Sequence, residues 1–225
     1  MLQDMHLHSD FSDGNNSIED MVRCALELGM KRICFTDHVW ETSGWTDKYF
    51  KEIQRCQNLF GTSIDVLCGV EAKFLSCKGG IDVNDDLFGK GVRVVAAMHR
   101  IPCGNGKFIR ASEIKNNLDV SRKFWMETIK GIQNNKHIDC LAHPFSLLGY
   151  MGITQQDDDW WGTVSTIIGS LPVSIEYNVK YDNQIVPEWF WETHKNKIMP
   201  ASDSHSVKEF RIRSSELRSI CEKFS

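Results

Sequence analysis

Val92-Arg93-Val94-Val95-Ala96-Ala97-Met98-His99-Arg100 decides the fold. Residues 92–98 are almost wholly apolar and end on an imidazole and a guanidinium. A short run without alternation reads as a strand buried on both faces, which belongs to a parallel sheet covered by helices. A polar residue at the C-terminal end of such a strand lies where a parallel barrel carries its site. The same pattern recurs on both sides. Strands are expected at 2–8, ending in His6-Leu7-His8; at 31–35, followed by Thr36-Asp37-His38; and at 64–70, followed by Glu71. Further strands are expected at 137–142, followed by His143-Pro144; at 173–177, followed by Asn178; and at 198–201, followed by Ser202-Asp203-Ser204-His205.

Helices separate them. Ser17 caps the first, with Asp20 three positions on; Ile18, Met21, Val22, Ala25 and Leu26 supply one apolar face and Gly29 ends it. A loop over 39–46 precedes a helix running to Phe60, with Tyr49, Ile53, Cys56 and Phe60 facing inward. Residues 76–90 read as a polar excursion and 112–133 as one long helix. Helical spacing returns around Trp160, Val164, Ile167 and Ile168, over 187–191 and over 208–224. About seven β-then-α units without repeats or linkers imply one α/β, barrel-like domain over 1–225.

Composition narrows the function. Hydrophobic residues are 41% and charged residues 25%, as in an ordinary globular protein. A net charge of −4 gives no basic field, so a nucleic-acid partner is disfavoured. No apolar run reaches the roughly 18–20 residues of a membrane span, and no apolar signal core opens the chain. The eight cysteines form no CxxC pair and read as reduced thiols, with Cys24, Cys34, Cys68 and Cys140 in the core and the chain in the cytoplasm.

His6, His8, Asp13, His38, Glu71, His99, His143, Asp203 and His205 all fall at or just after strand ends, and they include six of the eight histidines. Each alone reads as a loop or turn residue. Together they do not, because structural histidines have no reason to gather at one end of successive strands. His6 and His8, two apart on a strand, point the same way. The group exceeds the ligand demand of one ion, so two or three divalent metals are implied. His137 and His194 are assigned no catalytic role.

The motifs His6-Leu7-His8 with Asp13-Gly14, Thr36-Asp37-His38, Gly69-Val70-Glu71, Met98-His99, Ala142-His143-Pro144 and Ser202-Asp203-Ser204-His205 resemble, in order, those of the polymerase and histidinol phosphatase (PHP) superfamily. The resemblance implies a distorted (β/α)7 TIM-like barrel with a trinuclear site. His6, His8, Glu71 and Asp203 would hold the first metal. Glu71, His99 and His143 would hold the second, with Glu71 bridging. Asp13, His38 and His205 would hold the third. Zinc, manganese or iron is implied; Asp13, where some relatives have histidine, adds an oxygen ligand suited to manganese. Glu71, Asp203 and His205 are the expected catalytic members. The implied chemistry is hydrolysis of a small phosphate monoester by a hydroxide bridging two metals, with histidinol phosphate the best-named candidate.

Arg100, Arg211 and Arg213 are the candidate phosphate-binding side chains, since a guanidinium grips phosphate with two N–H groups. Trp40, Trp45 and Lys180 are expected near the pocket, and Asp37 and Asn178 beside it. Competing readings are a phosphodiesterase or 3′-end nuclease of the same superfamily, an amidohydrolase-type enzyme that also opens with His-x-His, and a metal-stabilised binding module. The oligomeric state is left open.

Overall fold

β1 (Gln3–Leu7), α1 (Ile18–Glu27), β2 (Arg32–Phe35), the two-residue β3 (His38–Val39), α2 (Thr46–Phe60) and the long β4 (Asp65–Lys73) open the chain. β5 (Arg93–Ala97) leads into a hairpin of β6 (Ile101–Pro102) and β7 (Phe108–Ile109), then α3 (Ala111–Ile114) and α4 (Leu118–Gly131). β8 (Cys140–Ala142), α5 (Asp158–Ser170), β9 (Ser174–Asn178), α6 (Glu188–Thr193), β10 (Ile198–Ala201) and α7 (Val207–Lys223) follow. The structure is a computed structural model describing residues 1–181 and 185–224.

Seven parallel strands run β1-β2-β4-β5-β8-β9-β10, and β3 pairs β4 beyond the end of β2. The sheet curls until its edges meet. A parallel bridge joins Leu7 to Ser204; the His8 amide donates to the Ser204 carbonyl and the Asp203 amide to the His6 carbonyl, each at 3.1 Å. This is the expected seven-stranded, TIM-like α/β barrel.

Val95 and Ala97 of β5 join Met5, Cys34, Cys140, Ala142 and Met199 inside the barrel, while Val94 and Ala96 face the helices. Both faces of the strand are therefore dry, which explains its unbroken apolar run. Alanines and cysteines from three strands leave room inside the barrel for the two methionines. Ile18, Met21, Val22 and Ala25 of α1, and Tyr49, Ile53 and Cys56 of α2, are buried against the outside of the sheet. Ser17 Oγ accepts the Asp20 amide at the start of α1, and Gly29 leaves its end at φ +75°.

Several expectations change. The helix expected over 112–133 is two, because Asn117 breaks it: its backbone leaves helical angles (φ −143°) and its side chain donates to the Glu113 carbonyl at 3.1 Å. The strand expected from His137 starts at Cys140. Asn135 Oδ1 captures the His137 amide, and the His137 ring stacks on Phe88 at 3.9 Å. The loop expected from Val39 begins with a strand pair, His38 opposite Glu71 and Val39 opposite Ala72. Cys68 is only half-buried, whereas Cys24, Cys34 and Cys140 are buried, and among the described residues none of the eight cysteines forms a disulfide. Among the described residues no helix is long and apolar enough to cross a membrane.

Candidate metal centre

β1 delivers two imidazoles. An irregularity in its pairing with β2 leaves the His6 amide off the ladder, and Asp4 Oδ1 accepts it at 3.2 Å. The same oxygen accepts the Ser202 amide at 3.0 Å, so Asp4 staples the seam where the barrel closes. Burial pushes the Asp4 carboxyl up to about 7. His6 Nδ1 lies 2.6 Å from Glu176 Oε1, and its Nε2 faces His8 Nε2 at 2.9 Å. Glu176 thus directs Nε2 toward the cluster.

The loop after β1 folds back tightly. Gly14 donates to the Ser9 carbonyl, and a Cβ at Gly14 would lie 2.7 Å from that oxygen. Buried Asp37 takes the Ser9 amide, the Ser9 hydroxyl and the Ser12 hydroxyl at 2.7–2.9 Å. It thereby fixes the loop that carries Asp13, whose carboxylate lies 3.3–3.5 Å from His8, His38 and His205.

Glu71 sits at the middle. His38 and His143 approach it at 2.7 and 2.9 Å, His99 at 3.4 Å, and His6 and His8 at 3.6 Å. Gly69 lets β4 pass the kink after β2: a Cβ there would meet Phe35 O, Cys34 Sγ and Thr36 Cγ2 at 3.0 Å. His143 and Asp203 hold left-handed backbone angles, φ +27° and +51°. Such conformations persist where the surroundings impose them. Glu176 Oε2 accepts the His143 amide at 2.8 Å, and Arg213 Nη1 donates to the Asp203 carbonyl at 2.8 Å.

Charge follows this packing. Burial alone would raise the Glu71 carboxyl, but the His6 charge and the His143 and His38 contacts hold it well below the usual carboxylate range. Burial likewise opposes Asp203, yet His8 and the charges of His6 and His143 hold it far down. His6 is held well above its ordinary value: Glu176 and Glu71 outweigh desolvation. Burial pushes neighbouring His8 down. The Nε2 atoms of the two rings face each other across a 2.9 Å gap.

That gap fits a cation. Among the described residues His8 Nδ1, on the Asp13 side of its ring, is buried without a hydrogen-bond partner, and Glu71 Oε2 has the His38 ring nitrogen at 2.7 Å outside hydrogen-bond geometry. Donor atoms within 4.8 Å of one another form four overlapping groups: His8, Asp13, His38 and His205; His6, His8 and Asp203; His6, Glu71 and His143; His38, Glu71 and His99. Imidazole nitrogen with carboxylate oxygen suits zinc, manganese or iron. All nine strand-end residues come together. Their grouping differs from the sets implied by resemblance: His8 joins Asp13, His38 and His205, while His99 and His143 fall in separate groups.

The arginines do not converge on the cluster. Arg100 stacks on Phe108, its guanidinium carbon 3.9 Å from the ring centroid. Arg211 pairs with Glu27 on the surface. Arg213 spends Nη1 on the Ser202 and Asp203 carbonyls and on Glu209, so it positions the loop. Trp45 packs against Phe11 and Tyr49. Trp40 joins His38, Val39, Glu71, Lys73 and His99 around a recess of about 240 Å³. Sequence reasoning missed Asp4 at the seam and, at the centre of the bracing, Glu176. Its signal was a carboxylate inside the apolar strand 173–177, a position that demands a partner.

The PHP domain family matches residues 4–178, a stretch that includes both Asp4 and Glu176. The chain belongs to that family. It is 25% identical over 147 residues to the DNA polymerase/3′-5′ exonuclease PolX of Bacillus subtilis, a match covering 63% of this chain and 23% of PolX. It is 33% identical over 84 residues to a Deinococcus radiodurans protein assigned as a histidinol-phosphatase, covering 32% of each. This PHP chain thus spans about a quarter to a third of the length of these curated relatives. Its fold is also that of histidinol phosphate phosphatase from Lactococcus lactis, complexed with zinc, L-histidinol and phosphate. The TM-score is 0.66 at 16% identity, covering 99% of this chain and 93% of that one.

Proposed function

We propose that this chain is a metal-dependent phosphoesterase that hydrolyses a small phosphate monoester, with histidinol phosphate the first candidate. The observation that carries the reading is the gathering of six imidazoles and three carboxylates at the C-terminal ends of the barrel strands, with five of the imidazoles within 4.0 Å of Glu71. The assignment of the D. radiodurans relative as a histidinol-phosphatase supports it. So does the modest recess beside His38 and His99, whose volume of about 240 Å³ suits a small leaving group.

Two or three divalent ions are proposed, zinc foremost. His6, His8 and Asp203 would form one holding group, Glu71 with His143 and His99 a bridge, and Asp13, His38 and His205 the open end. Bound there, the ions would supply an activated water and stabilise charge on the phosphoryl oxygens. The chain's own part is orientation. Glu176 aims His6, Arg213 and Asp4 hold the Asp203 loop, and Asp37 holds the Asp13 loop.

The test is phosphate release from a broad panel of phosphomonoesters, histidinol phosphate included, by zinc- or manganese-loaded protein beside His8→Ala. Selective release that the variant lacks is the expected outcome. The likeness to PolX over 63% of this chain favours one other reading, a phosphodiesterase or 3′-end nuclease. Release confined to phosphodiesters or single-stranded ends would replace the monoesterase reading with that one.

A further inference from the structure

We propose that Lys180 grips the phosphate of the substrate, the task for which the sequence offers three arginines. The inference rests on the phosphoesterase reading and names a binding residue for that same site.

Among the described residues, Lys180 is the only lysine or arginine whose charged nitrogen comes within 4.0 Å of a carboxylate of the cluster. The contact divides Asp203 between two tasks. Its Oδ1 faces His8 Nε2 at 3.3 Å and His6 Nε2 at 3.8 Å, while its Oδ2 accepts from Lys180 Nζ at 2.9 Å. The ammonium therefore stands one carboxylate's width from the place where a metal would sit. A phosphoryl oxygen bound there is within its reach.

The lysine is held and still has a donor to give. An ammonium carries three N–H groups; Asp203 takes one and the Tyr181 hydroxyl is a second hydrogen-bonding neighbour, which leaves one for a ligand. The side chain is 32% exposed, so its tip opens toward the mouth of the barrel. The Tyr181 ring lies 4.9 Å from Nζ and 5.6 Å from the His143 ring, walling the ammonium in on the cluster side. The Lys180 amide donates to Asn178 Oδ1 at 3.0 Å, and Asn178 Nδ2 donates to Glu176 Oε2 at 3.4 Å. One buried carboxylate, Glu176, thus helps position His6, His143 and the turn that carries Lys180.

A purely structural pair accounts poorly for this arrangement. An ammonium beside a metal-binding carboxylate repels the metal, and ordering a lysine side chain costs entropy. Both costs are offset when a dianion arrives and bridges the ions and the ammonium.

The experiment is calorimetric titration of inorganic phosphate into zinc-loaded wild type, Lys180→Met and Lys180→Arg, with zinc content and steady-state monoester kinetics measured on the same samples. In Lys180→Met, phosphate affinity is expected to fall and KM to rise by about ten- to a hundredfold, the scale of a lost hydrogen bond to a charged group. Zinc content should stay at the wild-type level, kcat should change less than KM, and Lys180→Arg should recover most of the affinity. Unchanged phosphate affinity and KM in Lys180→Met would overturn the inference while leaving the monoesterase reading intact. So would lost zinc with normal phosphate affinity in the fraction still loaded, since Lys180 would then only position Asp203. Lys180-dependent phosphate binding without turnover of any monoester would sink the monoesterase reading and keep the anion site.

Discussion

His6 and His8 leave β1 fully buried, whereas Asp13 and His99 reach the same cluster from loops with side chains 52% and 44% exposed. The buried half, completed by Glu71, His143 and Asp203, is cross-braced. Glu176 holds His6 and His143, Arg213 holds the Asp203 carbonyl, and Asp4 closes the seam behind them. The open half has thinner support: Asp13 depends on a loop pinned by Asp37, and His99 follows the end of β5. A barrel mouth can thus combine a rigid floor, whose geometry folding has already set, with a rim that solvent and substrate reach. The floor should bind metal tightly and the rim should exchange it.

The substitution with the largest expected effect is Glu71→Ala. It removes the carboxylate shared by both halves, so elemental analysis should find most of the zinc gone and nearly all phosphate release lost. Turnover retained at full metal content would break the bridging role. Glu176→Gln comes next. It keeps the shape but removes the charge that orients His6, and zinc affinity should fall by about ten- to a hundredfold, as for other groups that orient metal ligands. If affinity is unchanged, the floor does not depend on its bracing.

The effect of pH is the third. Despite burial, Glu71 and Glu176 hold His6 above its ordinary value, and Glu71 raises His38 and His143 in the same way. A protonated imidazole cannot ligate, so zinc affinity should climb as pH rises through and beyond the ordinary imidazole pKa of about 6.5. The metal-free protein should behave oppositely. Stability from the raised imidazoles is present below their unfolded pKa and is lost as pH rises through the folded one. Melting temperatures with and without zinc across this range would check both signs. The smallest effect belongs to Asp13→Ala, which should lower zinc stoichiometry only at the open rim. Loss of all metal would erase the distinction between floor and rim.

The fold was legible because each strand announces itself twice, by an apolar run and by a polar residue at its end. Residues 92–100 carry both signals. The nine clustered side chains were legible for the same reason. Their bracing was not. Glu176 lies inside a strand where a reading of strand ends does not look, and its partners stand 170 and 33 residues away. The three arginines misled because proximity in sequence to His99 or Asp203 says nothing of direction: Arg100 turns to Phe108 and Arg211 to Glu27. The break at Asn117 was missed because the apolar spacing continues across it, while one side-chain bond to Glu113 decides the backbone.

By itself the sequence determined which residues are chemical and at which end of the barrel they lie, since hydrophobic periodicity dictates strands, and strands in a parallel barrel share one direction. Only the tertiary structure decided which donors share a gap, which carboxylate braces which ring, and which cation reaches the cluster. Those relations depend on distances of 2.6 to 3.8 Å between residues far apart in the chain, set by the curl of the sheet and the closure of its seam at Leu7 and Ser204.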